Sequence, residues 1–337
     1  MPGRILCFGE SLLRLSAPGS ELLLQSANLD ARFGGAEANV AVSLARLGHE
    51  AALLTVLPDN AIGQAAADQM RGMGVDLSRA LRRAGRMGLY FLTPGATLRP
   101  SEVLYDRKGS AFADHADALD LGVALAGADW LHLSGVTPAV GAKAADAAVR
   151  AVKTAIEAGV RVSFDGNFRG KMWAEWGGDP GQVLRELMSG AELLFGDERD
   201  VGLALGLSFD RPDPWHRRAD AAEAAFKAFP RLQRMAGTLR VEHGGRDCGI
   251  AAALHTRSGE VRTPQLELKG VVDRIGSGDA LVAGLLHGVI QGWDDARSLD
   301  FALAASALKH SIPGDFSPAR EADILATMDD PRLHVRR

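Results

Sequence analysis

The stretch DRIGSGD at residues 273–279 stands directly before a run with helical spacing. Two glycines ahead of a helix let the backbone N–H groups of Gly276, Ser277 and Gly278 converge on one point, where the helix N-terminus adds positive charge. The turn therefore predicts a site for an anion such as a transferring phosphoryl group. Asp279 faces the same point and could accept the proton of an attacking hydroxyl. An ordinary Asp helix cap is the alternative.

Outward from this turn, short apolar runs alternate with Ala-rich stretches of helical spacing. The runs predicted as strands are 5–8, 51–57, 130–133, 160–164, 193–195, 239–241 and 249–254. Helices are predicted over 36–47, 140–158 and 279–291. Alternating strands and helices predict an α/β fold in which a mainly parallel central sheet is covered by helices on both faces.

Two stretches, at about 11–33 and 85–112, break this rhythm because polar and apolar residues alternate there and helical spacing is weak. They predict a small β-sheet inserted into one domain that spans residues 1–337. We call this sheet the lid, since it could cover a cleft. A further stretch, 210–218, contains two prolines and is predicted as a surface loop.

Composition excludes several classes of protein. Apolar residues make up 47% and charged residues 24%, which excludes disordered, collagenous and coiled-coil chains. The net charge of −4 gives no general field for nucleic acid or an anionic membrane, so an anionic substrate would need a local basic cluster. No apolar stretch approaches a membrane span and no signal peptide is evident, so we expect a cytoplasmic protein. Cys7 and Cys248 are expected to be buried, reduced thiols rather than a disulfide.

A second glycine motif, FGGAEAN at 33–39, also leads into a helix. Gly34 and Gly35 would allow a ligand to approach the backbone closely, and Asn39 offers a donor and an acceptor to a hydroxyl. A tight turn before a core helix is the alternative.

Polar residues also follow a predicted strand at Asp165, Asn167 and Arg169. Ligands gather beyond the carboxyl ends of strands in open α/β sheets, although such residues can also form a loop network. On the lid, Tyr90, Arg99, Tyr105 and Arg107 would suit an anionic polyol, with solvated surface as the alternative.

Two weaker candidates lie further along the chain. Gly244 and Gly245 could contact a nucleotide or simply form a hairpin turn. Asp197 and Asp200 could hold Mg²⁺ through water or be solvated loop carboxylates. The sequence contains no G-x-x-x-x-G-K-[ST], no complete dinucleotide fingerprint and no G-x-S-x-G, which disfavours a dehydrogenase or a serine hydrolase.

Taken in this order, the motifs resemble those of the PfkB (ribokinase-like) carbohydrate kinases, from about Arg4 to Pro318. Two signatures match, at 34–41 and 273–280. Finer features resemble the 2-keto-3-deoxygluconate kinases within that family; they lie at 34–39, 88–91, 98–101, 105–111, 131–135, 165–169, 307–310 and 313–315.

The resemblance implies a three-layer ribokinase-like fold, ATP and Mg²⁺ as cofactors, and a monovalent cation as a further candidate. It implies phosphorylation of the terminal (C6) hydroxyl of 2-keto-3-deoxygluconate, with Asp279 as the base. Asn167 and Arg169 would lie near the ATP phosphates. The residues that would face the sugar acid are Gly34, Tyr90, Tyr105, Arg107 and Arg169.

The sequence departs from the family pattern at two places. The metal-network motif Asn-x-x-Glu is Asp197–Asp200 here, and the nucleotide-loop motif Gly-x-x-Gly is Gly244–Asp247. The alternatives are therefore a kinase for fructose or another keto sugar acid, or a catalytically silent regulator that binds a sugar or nucleotide. An exposed lid also predicts a dimer or a larger homo-oligomer.

Overall fold

The strands of the protein come from the short apolar runs and from the two interrupting stretches. They are seen in a computed structural model that describes residues 2–244 and 246–329. In chain order they are β1 (Arg4–Phe8), β2 (Leu12–Ser16), β3 (Asp30–Gly34), β4 (Glu50–Leu54), β5 (Val56–Pro58), β6 (Leu81–Arg83), β7 (Gly88–Thr93), β8 (Glu102–Asp106), β9 (Trp130–Ser134), β10 (Arg161–Asp165), β11 (Leu193–Phe195), β12 (Arg234–Gly244), β13 (Asp247–Thr256), β14 (Gly259–Arg262) and β15 (Leu266–Leu268).

The central sheet has the order β14-β13-β12-β11-β10-β9-β1-β4, and β15 also pairs with β13. The strands from β4 to β12 pair in parallel, whereas β13, β14 and β15 add antiparallel pairs at one edge. This confirms the predicted mainly parallel α/β sheet. The run 239–241 is only part of a long strand, β12, and 51–57 divides between β4 and β5.

The helices carry the Ala-rich stretches. They are α1 (Ala36–Arg46), α2 (Ala61–Gly72), α3 (Ala111–His115), α4 (Leu121–Leu125), α5 (Val136–Ala139), α6 (Ala142–Glu157), α7 (Gly170–Trp176), α8 (Pro180–Gly190), α9 (Glu198–Leu205), α10 (Pro214–Ala228), α11 (Ser277–Gln291), α12 (Asp295–Lys309) and α13 (Glu321–Asp329), with a 3₁₀ turn at Ala116–Ala118. None of the helices in the described part of the chain is both long and apolar enough to cross a membrane.

The predicted loop at 210–218 is wrong in its second half. Helix α10 begins at Pro214, and the Asp213 side chain caps it by accepting a hydrogen bond from the His216 N–H. Proline is favoured in the first helical turn because no intrahelical partner exists there for the N–H that it lacks. The two prolines therefore mark a helix start.

Helices cover both faces of the central sheet. Successive residues of β1 point to opposite faces, so that Leu6 and Phe8 join one apolar cluster and Ile5 and Cys7 join the other. The first cluster includes residues of α6 and α8, and the second includes residues of α1, α11 and α12. Both cysteines are buried, free thiols, as predicted.

The lid is a separate four-stranded sheet in the order β3-β2-β7-β8. Its strands come from the two stretches predicted for it, and β3 extends by one residue to Gly34. Strands β2 and β7 pair in parallel, while the two outer pairs are antiparallel. The sheet therefore joins segments that are distant in the chain and holds them over one end of the central sheet.

Candidate active site

A left-handed glycine closes the turn before α11, and anion binding by this turn stays a prediction. Gly276 occupies the N-cap position with φ +81° and makes no side-chain cap. A Cβ at Gly276 would overlap the carbonyl oxygen of Asp315, so only glycine fits there. The alternative in which Asp279 caps the helix is wrong, because this residue lies inside the first helical turn.

Asp279 is a half-buried carboxyl group beside this turn. The Asn39 side chain donates a hydrogen bond from Nδ2 to its Oδ2 at 2.6 Å. Burial raises the pKa of Asp279 to about 7, with the nearby Glu37 and Asp315 carboxylates adding to the rise. Asn39 and the Arg169 guanidinium act in the opposite direction. A group with this pKa can exchange a proton near neutral pH.

The structure places Asn39 Nδ2 against Asp279. Asn39 Oδ1 is buried without a hydrogen bond among the described residues, so its contact with a ligand hydroxyl stays a prediction. The hydrogen bond from Asn39 engages Oδ2 of Asp279. The other carboxylate oxygen, Oδ1, has no hydrogen bond among the described residues. Asn39 therefore orients the carboxylate.

The polar residues after β10 lie in the same region. The pKa of Asp165 is raised well above its usual value by burial, and next by the Asp279 and Asp200 carboxylates, while Arg169 opposes the rise. Arg169 is therefore within electrostatic reach of both Asp165 and Asp279. Asn167 has a positive φ of 37°, a strained backbone that is typical of ligand-binding loops.

A cavity of about 390 Å³ connects this loop to the glycine turn. It lies at the carboxyl ends of β10 and β11 and beside residues 236–238 in the first half of β12, and is bounded on one side by α11. The charged or predicted residues that line it are Asp165, Asn167, Arg169, Asp197, Arg199, Asp200, Arg218 and Gly278. The structure thus brings together the predicted phosphate and metal residues.

Asp197 and Asp200 form a capping box at the start of α9. The Asp197 carboxylate accepts from the backbone N–H groups of Arg199 and Asp200, and Asp200 accepts from the Asp197 N–H. Arg199 also holds Asp197 in an ion pair at 2.6 Å. Burial raises the pKa of Asp200 to about 6.

This donor set fits Mg²⁺ held through water. Carboxylate oxygens that burial has made costly to ionise gain from a nearby hard cation. Asp165 and Asp200 are the carboxylates of this kind in the cavity. Among residues 2–244 and 246–329, no cluster of three acidic, His or Cys side chains could hold a metal alone.

On the lid side, an ion cluster lies next to the turn. The Tyr90 hydroxyl donates to Asp315 Oδ2 at 2.5 Å. One nitrogen of Arg14 bridges Asp273 at 2.8 Å and Asp315 at 3.1 Å. A Cβ at Gly34 would overlap the Asp315 carboxylate, so Gly34 packs directly against this cluster. Contact of Gly34 and Tyr90 with the sugar acid stays a prediction. The Tyr105 ring is 6.4 Å from that of Tyr90.

Arg107 is not on an open lid surface. It is only 4% exposed, and its Nε donates to Glu10 Oε2 at 2.7 Å. Ser110 also donates to Glu10. Arg99 lies elsewhere and donates to the backbone carbonyl groups of Ser20 and Pro94. The four lid residues Tyr90, Arg99, Tyr105 and Arg107 therefore do not form one cluster.

Gly244 is also separated from the glycine turn. It ends β12 and pairs with Asp247 at the tip of the β12–β13 hairpin, which supports the hairpin alternative. Gly244 lines a second cavity, of about 770 Å³, between this tip and the lid, together with Arg99 and Arg274. Gly245 lies outside the described residues.

Several residues of the site were not predicted from the sequence. Glu10 comes two residues after the end of β1. A charged residue so close to the end of an apolar strand is the sequence signal that could have identified it. Asp315 and Lys309 were noticed only as part of the family resemblance. Arg218, from α10, lines the cavity of about 390 Å³ beside the glycine turn, which we call the phosphate-side cavity. No sequence signal pointed to Arg218, because residues 210–218 are predicted as a loop.

Several known proteins match this chain over most of its length. The family model described as pfkB family carbohydrate kinase matches residues 3–321. A 2-dehydro-3-deoxygalactonokinase of Haloferax volcanii is 30% identical, with 94% of each chain covered. A 2-dehydro-3-deoxygluconokinase of Thermoproteus tenax is 29% identical over 92% of this chain and 89% of the relative. The crystal structure of a 2-dehydro-3-deoxygluconokinase from Thermotoga maritima superposes with a TM-score of 0.90 at 35% identity, covering 97% of this chain and 100% of that one.

Proposed function

Because the chain belongs to the pfkB family of carbohydrate kinases, we propose that it transfers the γ-phosphoryl group of ATP to the C6 hydroxyl of 2-keto-3-deoxygluconate. The product would be 2-keto-3-deoxy-6-phosphogluconate. The observation that carries this proposal is a carboxyl group with a pKa of about 7, Asp279, beside a glycine turn that presents its amides to an anion. The names of the relatives support a keto sugar acid as the acceptor.

In the proposed reaction the free oxygen of Asp279 accepts the C6 hydroxyl proton as that hydroxyl oxygen attacks the γ-phosphorus. The bond from the γ-phosphorus to the β–γ bridging oxygen breaks, and ADP leaves with that electron pair. The structure corrects one of the three predicted amides, because the Ser277 N–H donates to the Arg274 carbonyl oxygen at 3.3 Å. The amides of Gly276 and Gly278 would therefore hold the charge on the transferring group. Arg169 lies where it can pair with phosphate or carboxylate oxygens. Mg²⁺, when bound, neutralises phosphate charge, and Asp165, Asp197 and Asp200 would hold it through water.

The buried position of Arg107 supports a role at the acid end of the substrate. Glu10 fixes one edge of the guanidinium, and Met172 Sδ lies 3.7 Å from Nη1. A guanidinium fixed in this way pairs with a carboxylate with little loss of side-chain entropy. Tyr90 and Tyr105, on the same face of the lid, would contact the hydroxyls.

We expect Arg107→Ala to raise the KM for 2-keto-3-deoxygluconate by about 10- to 100-fold, since a charge-assisted hydrogen bond is lost. The KM for fructose, a neutral sugar, should change much less. Steady-state kinetics with both sugars measures the difference. Arg107→Lys is the matched variant, because it keeps a cation opposite the buried Glu10 and loses only the planar edge. An equal rise for both sugars would contradict the assignment.

The activity should rise with pH through about 7. Asp279 must be deprotonated to accept a proton, so kcat/KM is expected to be low at pH 5.5 and to level off above pH 8. Initial rates at low acceptor concentration measure this profile. The residual activity of Asp279→Asn serves as the control, because ionisations of ATP remain in that variant. A wild-type profile that matches the variant's would exclude Asp279 as the titrating group.

An assay of ADP release with Mg·ATP tests the substrate directly. The panel contains 2-keto-3-deoxygluconate, its galactonate epimer, fructose, ribose, gluconate and a blank without sugar. Selective turnover of the first compound supports the proposal. If the epimer or a neutral sugar is turned over fastest, that compound would replace 2-keto-3-deoxygluconate as the proposed acceptor. If no sugar gives ADP release, the alternative of a catalytically silent regulator that binds a sugar or nucleotide is favoured.

We also propose that the chain forms a dimer or larger homo-oligomer through the outer face of the lid. One row across this sheet consists of Ala31, Leu15, Phe91 and Leu104, paired in register. Leu104 is 59% exposed, and a continuous apolar row of this kind favours association. Light scattering measures the mass in solution, and a monomer at high concentration would contradict this part of the proposal.

A further inference from the structure

Lys309 is a fully buried lysine, with 0% of its surface exposed, at the last position of α12. Its Nζ donates a hydrogen bond to the carbonyl oxygen of Ile312 at 2.9 Å. A charged amine is rarely buried to this extent unless nearby groups compensate for its lost hydration. The reaction described above does not use it.

The surroundings of Lys309 show what compensates for its burial. Burial lowers the pKa of Lys309, and the carboxylates of Asp273, Asp315 and Asp279 oppose this by favouring the charged form. The ammonium group therefore lies within electrostatic reach of the proposed base. With Arg14, it gives two cations that balance the two carboxylates of the ion cluster, Asp273 and Asp315.

Lys309 also packs directly behind the glycine turn. Its Cε would be 3.3 Å from a Cβ built on Gly276, on the side where the Asp315 carbonyl group closes the turn. The amides of the turn thus have a fixed positive charge behind them. Removal of that charge would leave the ion cluster with a net negative charge next to the place where phosphate must bind.

We propose that Lys309 is a built-in cation of the phosphate-binding turn, which keeps the ion cluster neutral and makes phosphoryl transfer independent of any added monovalent cation. The residue acts through the turn and contacts no substrate, so its role is a positioning and electrostatic one. The inference rests on the kinase activity of the family and not on the identity of the sugar acid.

The test compares the wild type with Lys309→Met, which keeps a similar length and removes the charge. Both are assayed with the panel sugar that gives the fastest turnover, in buffer whose only monovalent cation is choline. We expect the wild-type kcat to change less than twofold when KCl or NH₄Cl replaces choline chloride. Lys309→Met should lose about 10- to 100-fold in kcat, less than the 10²- to 10³-fold typical of a lost direct donor.

Cation rescue separates an electrostatic role from a merely structural one. The space and negative charge left in Lys309→Met should accept NH₄⁺ or K⁺, so these ions should restore part of the kcat of the variant and leave the wild type unchanged. Its affinity for ATP, measured by titration without any sugar, should fall by only a few fold. Lys153→Met is the matched control, because Lys153 is 65% exposed and forms an ion pair with Glu186 at the surface.

Three results would overturn the proposal. The first is a folded Lys309→Met with wild-type kcat. The second is an equal loss in Lys153→Met, which would assign the effect to net charge. The third is a several-fold stimulation of the wild type by K⁺, and this measurement stands even if Lys309→Met fails to fold. If no panel sugar is phosphorylated, the substrate proposal fails, and the ATP titration with and without K⁺ still tests Lys309.

Discussion

Replacement of Asp279 by Asn is expected to lower kcat by about 10²- to 10⁴-fold and to leave the affinity for ATP nearly unchanged. An amide of the same shape can still accept the hydrogen bond from Asn39 but cannot take a proton from the sugar hydroxyl. Single-turnover and steady-state rates with saturating Mg·ATP measure the loss. A variant with near-wild-type turnover would exclude Asp279 as the base.

The stability of the same variant provides a control against misfolding. The pKa of Asp279 rises from 3.8 to about 7 on folding, so the native state holds a proton that the unfolded chain releases. The contribution of this carboxyl to stability therefore falls as the pH rises from about 4 to about 7. Asp279→Asn should be at least as stable as the wild type at pH 8. A lower melting temperature there would indicate damage to the site rather than loss of a base.

Substitution of Gly276 by Ala should be the most damaging change in the turn. A side chain at φ +81° is strained, and its Cβ would overlap the backbone of Asp315 and press on Lys309. Strain of this kind costs about 1–3 kcal/mol of unfolding free energy. Because the turn must shift, its amides no longer converge, and kcat should fall by about 10²-fold or more.

Gly278→Ala is the matched variant on the same turn. A Cβ at Gly278 has no atom within 4 Å, and its φ is not positive, so the unfolding free energy should stay close to that of the wild type. The methyl group would nevertheless point toward the phosphate-side cavity and could lower kcat by occlusion. Chemical denaturation of both variants gives the comparison. Equal stability of Gly276→Ala and the wild type would contradict the strain argument.

The sequence predicted the parts of this molecule that depend on local periodicity. The mainly parallel sheet, helix α11 and the lid strands follow from apolar spacing, which packing reinforces. The turn at 276–278 was predictable because two glycines directly before a run with helical spacing favour a tight turn at the helix start. Helix α10 was missed because a proline pair was taken for a loop signal, although Asp213 and Pro214 together favour a helix start.

The side-chain partners within the site could not be predicted in the same way. Arg107 was expected on an exposed lid, yet it pairs with Glu10, which lies 97 residues away in the sequence. Asn39 likewise meets Asp279 across 240 residues. Spacing along one strand or helix carries no information on such contacts, because they depend on how distant elements pack. The sequence analysis named Arg107, Asn39 and Asp279 as candidates but predicted neither of these pairings.

The ion pair between Arg14 and Asp315 joins residues 301 positions apart. Contacts of such long sequence separation form late, since the entropy of closing the intervening loop must be overcome first. On the ribosome, β2 and β7 of the lid can pair long before Asp315 is synthesised. The lid is therefore expected to mature as an open flap, which becomes tied to the body of the protein only after Asp315 has been synthesised.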